Sequence, residues 1–184
     1  MVPNQFYDEE PLLYHLSLEQ LILFLEMMLF FQPFHLGHLE LIKSIINQQI
    51  EPVICIGSAQ HSYTEENPFT VEERMKMIEE VMKDFNCKYS IFGIPDINNY
   101  DLYVSHLETF VPTFDIVFSG NPLVQRLFNE AGYAVVKVNM FNREVWEGSS
   151  IRLAMKEGGD WESAIPNQVV KIIHNINGID RLMK

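Results

Sequence analysis

Five short, continuous apolar runs separated by segments of helical period predict an α/β fold: a doubly wound parallel sheet of five strands with helices on both faces. Start and stop residues fall between the runs, as they do when strands alternate with crossover helices. The 184 residues suit one domain with a substantial core, expected over 21–184, with residues 1–20 as an extension of unknown role.

The expected strands are 27–31, 53–57, 89–94, 114–119 and 134–138. Their runs do not alternate with polar residues, as befits strands covered on both faces. The first helix follows the first strand, with Leu39, Ile42, Ile45 and Ile46 on one face. Thr70 and Glu73 then form a capping-box pair ahead of a stripe of Met75, Ile78, Val81, Met82 and Phe85. A third helix is expected over 102–110. A fourth opens on Asn121-Pro122 and stops at Gly132, residues that favour those positions. Ser149 or Ser150 is the expected cap of a fifth, and 166–175 reads as a sixth. Leu13, Leu16, Leu18, Leu21 and Ile22 are spaced for an amphipathic helix ahead of the first strand.

Composition narrows the function. The net charge of −12, from 25 acidic and 13 basic side chains, gives no basic surface for tracking nucleic acid. A small phosphorylated ligand remains compatible, because a few local cations and helix N-termini can hold one. The most apolar stretch, 21–31, is too short for a membrane span and carries Glu26. The acidic N-terminus does not fit a secretory signal, and Cys55 and Cys87 read as buried thiols, so a cytoplasmic protein is expected.

In a sheet of this Rossmann-like kind, ligands sit beyond the carboxyl ends of the strands. That places the loops 32–38, 58–70 and 120–121 at one site. The first carries the strongest motif, Gln32-Pro33-Phe34-His35-Leu36-Gly37-His38. Two imidazoles flank a glycine where the positive end of a helix dipole emerges, so they can donate to phosphoryl oxygens that approach Gly37 closely. The bland reading is a surface histidine pair or half a metal site. A zinc centre needs more ligands than His61 and the distant cysteines supply. Arg74 and Arg152, taken alone, read equally as solvated helix-face charges.

His-x-Gly-His in this setting resembles the signature of the nucleotidylyltransferase superfamily. From about residue 31 to 182 the chain resembles its archaeal nicotinamide mononucleotide (NMN) adenylyltransferase branch. The matching blocks are 31–38, Ile56-Gly57-Ser58-Ala59-Gln60, Asn67-Pro68-Phe69-Thr70 with Glu73-Arg74, and Phe114-Asp115-Ile116-Val117. Ser119-Gly120-Asn121-Pro122-Leu123-Val124, Met140-Phe141-Asn142-Arg143 and Gly148-Ser149-Ser150-Ile151-Arg152 follow in order.

The resemblance implies adenylyl transfer from ATP to NMN, giving NAD and pyrophosphate, with Mg²⁺ carried on the triphosphate. It implies His35, His38, Arg74 and Arg152 as the catalytic set. Phe31, Gln32, Gly37, Ser119, Gly120, Asn121 and Ser149 would bind ATP, and Ser58, Asp96, Ile97, Tyr103, Phe141 and Arg143 would bind NMN. No protein-held metal, nucleic acid or membrane partner is implied, and relatives of this kind are commonly homo-oligomers, often hexamers.

The chain departs from the family pattern at named places. Leu29-Phe30 stands where the family has Gly-Arg, Leu153 and Ala154 replace further arginines, Tyr103 replaces tryptophan, and Ser149 replaces threonine. Two other readings follow: a homologue that binds NAD or ATP without turnover, and a nucleotidylyltransferase acting on another acceptor such as nicotinate mononucleotide or phosphopantetheine. NAD binding without pyrophosphate release would mark the first. Turnover with another acceptor would mark the second.

Overall fold

The computed structural model describes residues 22–138 and 146–183, with side chains from residue 30 onward. The chain runs β1 (Ile22–Leu29), α1 (Leu36–Ile46), β2 (Glu51–Ile56), α2 (Val71–Met82), β3 (Ser90–Gly93), α3 (Tyr103–Glu108), β4 (Ile116–Ser119), α4 (Pro122–Glu130), β5 (Ala134–Lys137), α5 (Gly148–Glu157) and α6 (Asn167–Asn175). The strands lie in the order β3-β2-β1-β4-β5, and every pairing is parallel. The expected α/β fold of parallel strands and intervening helices is thus observed.

Residue alternation explains why the runs are apolar throughout. In β2, Ile54 and Ile56 join one buried cluster while Val53 and Cys55 join the other. In β4, Ile116 and Phe118 divide from Val117 in the same way. The first cluster takes the apolar faces of α1, α2, α5 and α6, and the second takes Leu107 of α3 with Val124 and Phe128 of α4. Each fully buried side chain of this size contributes roughly 1.5–3 kcal/mol, so a strand with two covered faces needs no polar positions. Cys55 is buried, Cys87 is half-buried, and no disulfide joins them. Among the described residues no helix is long and apolar enough to cross a membrane.

Where boundaries differ from expectation, the cause is local. β1 covers Ile22–Leu29 rather than 27–31. Apolar residues flank Glu26 on both sides from 21 to 31, so hydropathy alone cannot place the strand ends. The backbone leaves the strand direction at Phe31, whose φ of 43° is left-handed. The third helical segment begins as a 3₁₀ turn over Tyr100–Leu102, with Asn99 Oδ1 accepting from Asp101 N–H at 3.1 Å, before α3 continues it.

The capping box of α2 forms as read. Glu73 N–H donates to Thr70 Oγ1 at 3.2 Å, and Thr70 N–H donates to Glu73 Oε2 at 2.9 Å. Asn121 Oδ1 caps α4 by accepting from Leu123 N–H at 3.0 Å, and Gly132 follows with φ 88°. The fifth helix is a correction, because Glu147 rather than a serine takes the cap position, with no side-chain bond. A Cβ at Gly148 would meet Arg152 Nη1 at 3.3 Å and the Gln32 carbonyl at 3.6 Å. Starting the helix on glycine therefore leaves room for Arg152 to fold back over the first turn.

Candidate functional site

The strand order reverses at β1: the chain moves outward through β2 and β3 on one side, then through β4 and β5 on the other. In doubly wound sheets the loops leaving the carboxyl ends of the two strands at such a point diverge to open a crevice, which is where ligands bind. The histidine turn leaves β1 at that point.

His35 is the cap residue of α1 and His38 its third helical residue. Their rings stack with centroids 3.5 Å apart and planes inclined by 19°. His35 N–H donates to His38 Nδ1 at 3.1 Å. An Nδ1 that accepts cannot carry the ring proton of a neutral imidazole, so the proton of His38 sits on Nε2, which is left as a donor. Beneath the pair, Phe31 lies 4.7 Å and Phe34 5.5 Å from the His38 ring. This floor removes water and fixes the charge state. Burial pushes the pKa of His35 down to about 4. Burial, and then the charge of His35, hold His38 well below the ordinary histidine range. At neutral pH both rings are uncharged hydrogen-bond donors. His35 Nδ1 is buried without a hydrogen-bond partner.

That charge state has a stability consequence. Between about pH 6.5 and 4 the unfolded chain binds a proton at His35 that the folded chain refuses, so folding stability falls as pH falls across that window. From pH 7.5 to 5.0 the loss is about 2 kcal/mol, from the conversion of pKa into free energy. Urea titrations at the two pH values should show it, and the difference should shrink in a His35→Gln variant. Equal losses in both proteins would assign the acid sensitivity elsewhere.

Arg74 is fully buried. Its Nη1 donates to the carbonyls of Phe30 (2.9 Å) and Gly57 (2.8 Å), its Nη2 to Ser58 O (3.1 Å), and its Nε to Thr70 O (3.2 Å). The resemblance implies a catalytic arginine here; the structure shows a guanidinium that ties the ends of β1 and β2 to the start of α2. Burial lowers its pKa to about 10, opposed by the charges of Glu72 and Asp96, so it stays a cation at neutral pH. Phe30, in contrast to its carbonyl, exposes 44% of its surface.

Arg152 reaches from α5 to the opposite rim, where Nη1 donates to Gln32 O at 2.9 Å. Burial lowers its pKa, against the charges of Glu66, Glu65 and Glu147. The Gln32 side chain is buried and pairs with the backbone of one residue, Phe69, in the neighbouring loop. Its Nε2 donates to Phe69 O at 3.0 Å, and its Oε1 accepts from Phe69 N–H at 2.9 Å. Phe31 and Gln32 thus use their side chains as structure. Ser149 is the second residue of α5 and is exposed.

The loop ends after β2 and β3 are knitted together. Ser58 Oγ donates to Asp96 Oδ2 at 2.5 Å, and Asp96 N–H donates to Gln60 Oε1 at 3.0 Å. Asp96 is therefore committed to shaping the turn that carries Ile97. Tyr103 packs edge-on against Phe128, 6.3 Å between centroids. After β4, Asn121 N–H donates to Ser119 Oγ at 3.1 Å, which folds the Ser119-Gly120-Asn121 turn onto itself. Phe141 and Arg143 lie outside the described residues. Sequence reasoning missed Asn67, Phe69 and Gln60 as partners of the site, although their blocks are in the chain, because their bonds depend on the fold.

Residues 30–154 match the cytidylyltransferase-like family model. A nicotinamide-nucleotide adenylyltransferase of Thermoplasma acidophilum is 47% identical over 153 residues, covering 83% of this chain and 86% of that protein. One of Archaeoglobus fulgidus is 45% identical over 158 residues, covering 83% and 91%. Among solved structures, a bifunctional NMN adenylyltransferase/ADP ribose pyrophosphatase from Francisella tularensis, complexed with AMP and a manganese ion, superposes with a TM-score of 0.66. It is 18% identical, so the likeness is one of fold. The superposition covers 89% of this chain and 52% of the bifunctional protein, about half its length.

Proposed function

The chain belongs to the cytidylyltransferase-like family and, within it, to the nicotinamide-nucleotide adenylyltransferases, and from that premise we propose how its residues act. It is an enzyme of NAD biosynthesis that transfers the adenylyl group of ATP to NMN. A 5′-phosphate oxygen of NMN forms a bond to the α-phosphorus, the bond from that phosphorus to the bridging oxygen breaks, and pyrophosphate leaves. No covalent intermediate with the protein is required, so positioning and charge stabilisation carry the catalysis.

The observation that carries the residue assignment is the desolvated pair His35 and His38 at the start of α1, with Arg152 bonded to the same turn. Neutral imidazoles donate to triphosphate oxygens without adding a cation that must be desolvated. Arg152 supplies the positive charge, and the first turn of α5 with Ser149 supplies further donors. Gly37 admits the phosphates close to the backbone. The main chain of Phe31 and Gln32 and the Ser119-Gly120-Asn121 turn line the adenosine side. Ser58, Asp96, Ile97 and Tyr103 form the nicotinamide side, together with Phe141 and Arg143. Arg74 acts through the strand ends that it ties together.

Among the described residues no three potential metal ligands converge. Mg²⁺ would be brought by ATP, keeping several of its waters. There it would offset charge on the leaving pyrophosphate. We read the five strands as one Rossmann-like doubly wound sheet within a single domain over 21–184, working in the cytoplasm as a homo-oligomer. A hexamer is the first stoichiometry to test.

The deciding experiment is a coupled assay of purified protein with NMN, ATP and Mg²⁺, with NAD read through an alcohol dehydrogenase. NAD formation matched by pyrophosphate release is expected. Turnover only with nicotinate mononucleotide or phosphopantetheine would overturn the acceptor. NAD binding without pyrophosphate would overturn the enzyme.

A further inference from the structure

Four contacts made by one C-terminal side chain converge on the first turn of α2 and the loop that leads into it. Arg181 lies in a 3₁₀ turn over Gly178–Arg181. Its Nη1 and Nη2 grip both oxygens of Glu73, at 2.6 and 2.7 Å. Nη1 also donates to Pro68 O at 3.0 Å, and the guanidinium lies 4.6 Å over the Tyr63 ring. The hydrogen bonds to Glu73 raise the pKa of Arg181. Burial raises that of Glu73, but the bonds from Arg181 and Thr70 outweigh it and leave it lowered, so the pair is doubly charged at neutral pH.

The loop so held is not a relaxed one. Tyr63 has φ 59°, a left-handed backbone that a bulky residue occupies only when its surroundings impose it. At Gly178 a Cβ would sit 2.7 Å from the Phe69 ring, so the tail turn packs directly against the loop. On its other side the same loop presents Phe69 and Asn67 to Gln32, whose carbonyl holds Arg152. A continuous chain of contacts therefore runs from Arg181 through residues 63–70 to Gln32 and Arg152.

We infer that Arg181 is a positioning residue for the triphosphate side of the active site, acting by clamping residues 63–70 against Gln32. The inference rests on the adenylyltransferase reading for its kinetic consequence, and on the contacts alone for the clamp. The nicotinamide side is held by Ser58 and Gln60 on Asp96, and its link to Thr70 runs through Arg74 rather than Arg181, so it should share little of the effect.

The test compares wild type, Arg181→Ala and Arg181→Lys as full chains, with two readouts. Amide hydrogen exchange at Phe69 and Thr70 should accelerate in Arg181→Ala. Per folded molecule, KM for ATP should rise about tenfold or more, with KM for NMN within about twofold, as expected when one rim of a site is misplaced. Lysine restores a point charge to Glu73 without the planar fork, so it should recover part of both effects. Unchanged exchange overturns the clamp. Faster exchange with unchanged kinetics, or equal rises in both KM values, overturns the positioning role and leaves a purely structural one. If wild type forms no NAD, the adenylyltransferase reading fails separately. The Kd for ATP by calorimetry then replaces KM, with the same tenfold rise expected and no change overturning the inference.

Discussion

Replacing His38 with alanine should lower kcat for NAD formation by about 10²–10³-fold, the usual cost of removing one preorganised donor from a charged transition state. The structure narrows why. His38 Nδ1 is occupied by His35 N–H, which leaves Nε2–H for the substrate, and the Phe31 and Phe34 rings keep water from competing for it. Removing the ring also takes away the face on which His35 stacks, so the deficit should exceed that of a lone surface histidine. KM for ATP should move much less than kcat, because the donor matters most where charge develops. Circular dichroism and calorimetric ATP binding would establish that the variant is folded. A kcat within threefold of wild type would remove His38 from the mechanism.

The second large effect is a gain. Phe30→Arg should raise kcat/KM for ATP by about 10²-fold, by adding a charge-assisted phosphate contact where the family resemblance implies an arginine. The position suits it, because the Phe30 carbonyl is pinned by Arg74 while the ring is 44% exposed, so a longer polar side chain meets no packing penalty. Phe30→Lys should gain less, since a point charge lacks the bidentate fork. Steady-state kinetics of the three proteins decide it. Equal rates for phenylalanine and arginine would show that Arg152 and the histidines already supply all the stabilisation the triphosphate can use.

The parts legible in the sequence share a physical property: their signal is local. The Thr70 and Glu73 pair, the Asn121-Pro122 start and the continuous apolar runs each report on bonds or burial within one element. The histidine turn was legible for the same reason, since its key bond spans three residues. What could not be read depends on distant partners. Arg74 looks like a free cation on a helix face until the carbonyls of Phe30, Gly57 and Ser58 are brought around it. Glu73 was read correctly as half of a cap, but its second partner lies 108 residues away. Serine preference named the wrong cap for α5, because a glycine start leaves space for Arg152.

The all-parallel order of the strands bears on how the chain comes to hold this site at all. Among the described strands no pairing is closed by a tight turn, and β1, the first of them, finds β4 only after three helices have intervened. Each pairing must meet its loop-closure entropy before any ladder bond offsets it, whereas the capped helices gain their bonds at once. The contacts that complete the crevice are the most distant, with Gln32 and Arg152 separated by 120 positions. Helical signal should therefore appear early during refolding and nucleotide binding late, so that ligand can capture the chain only after its last segments have docked.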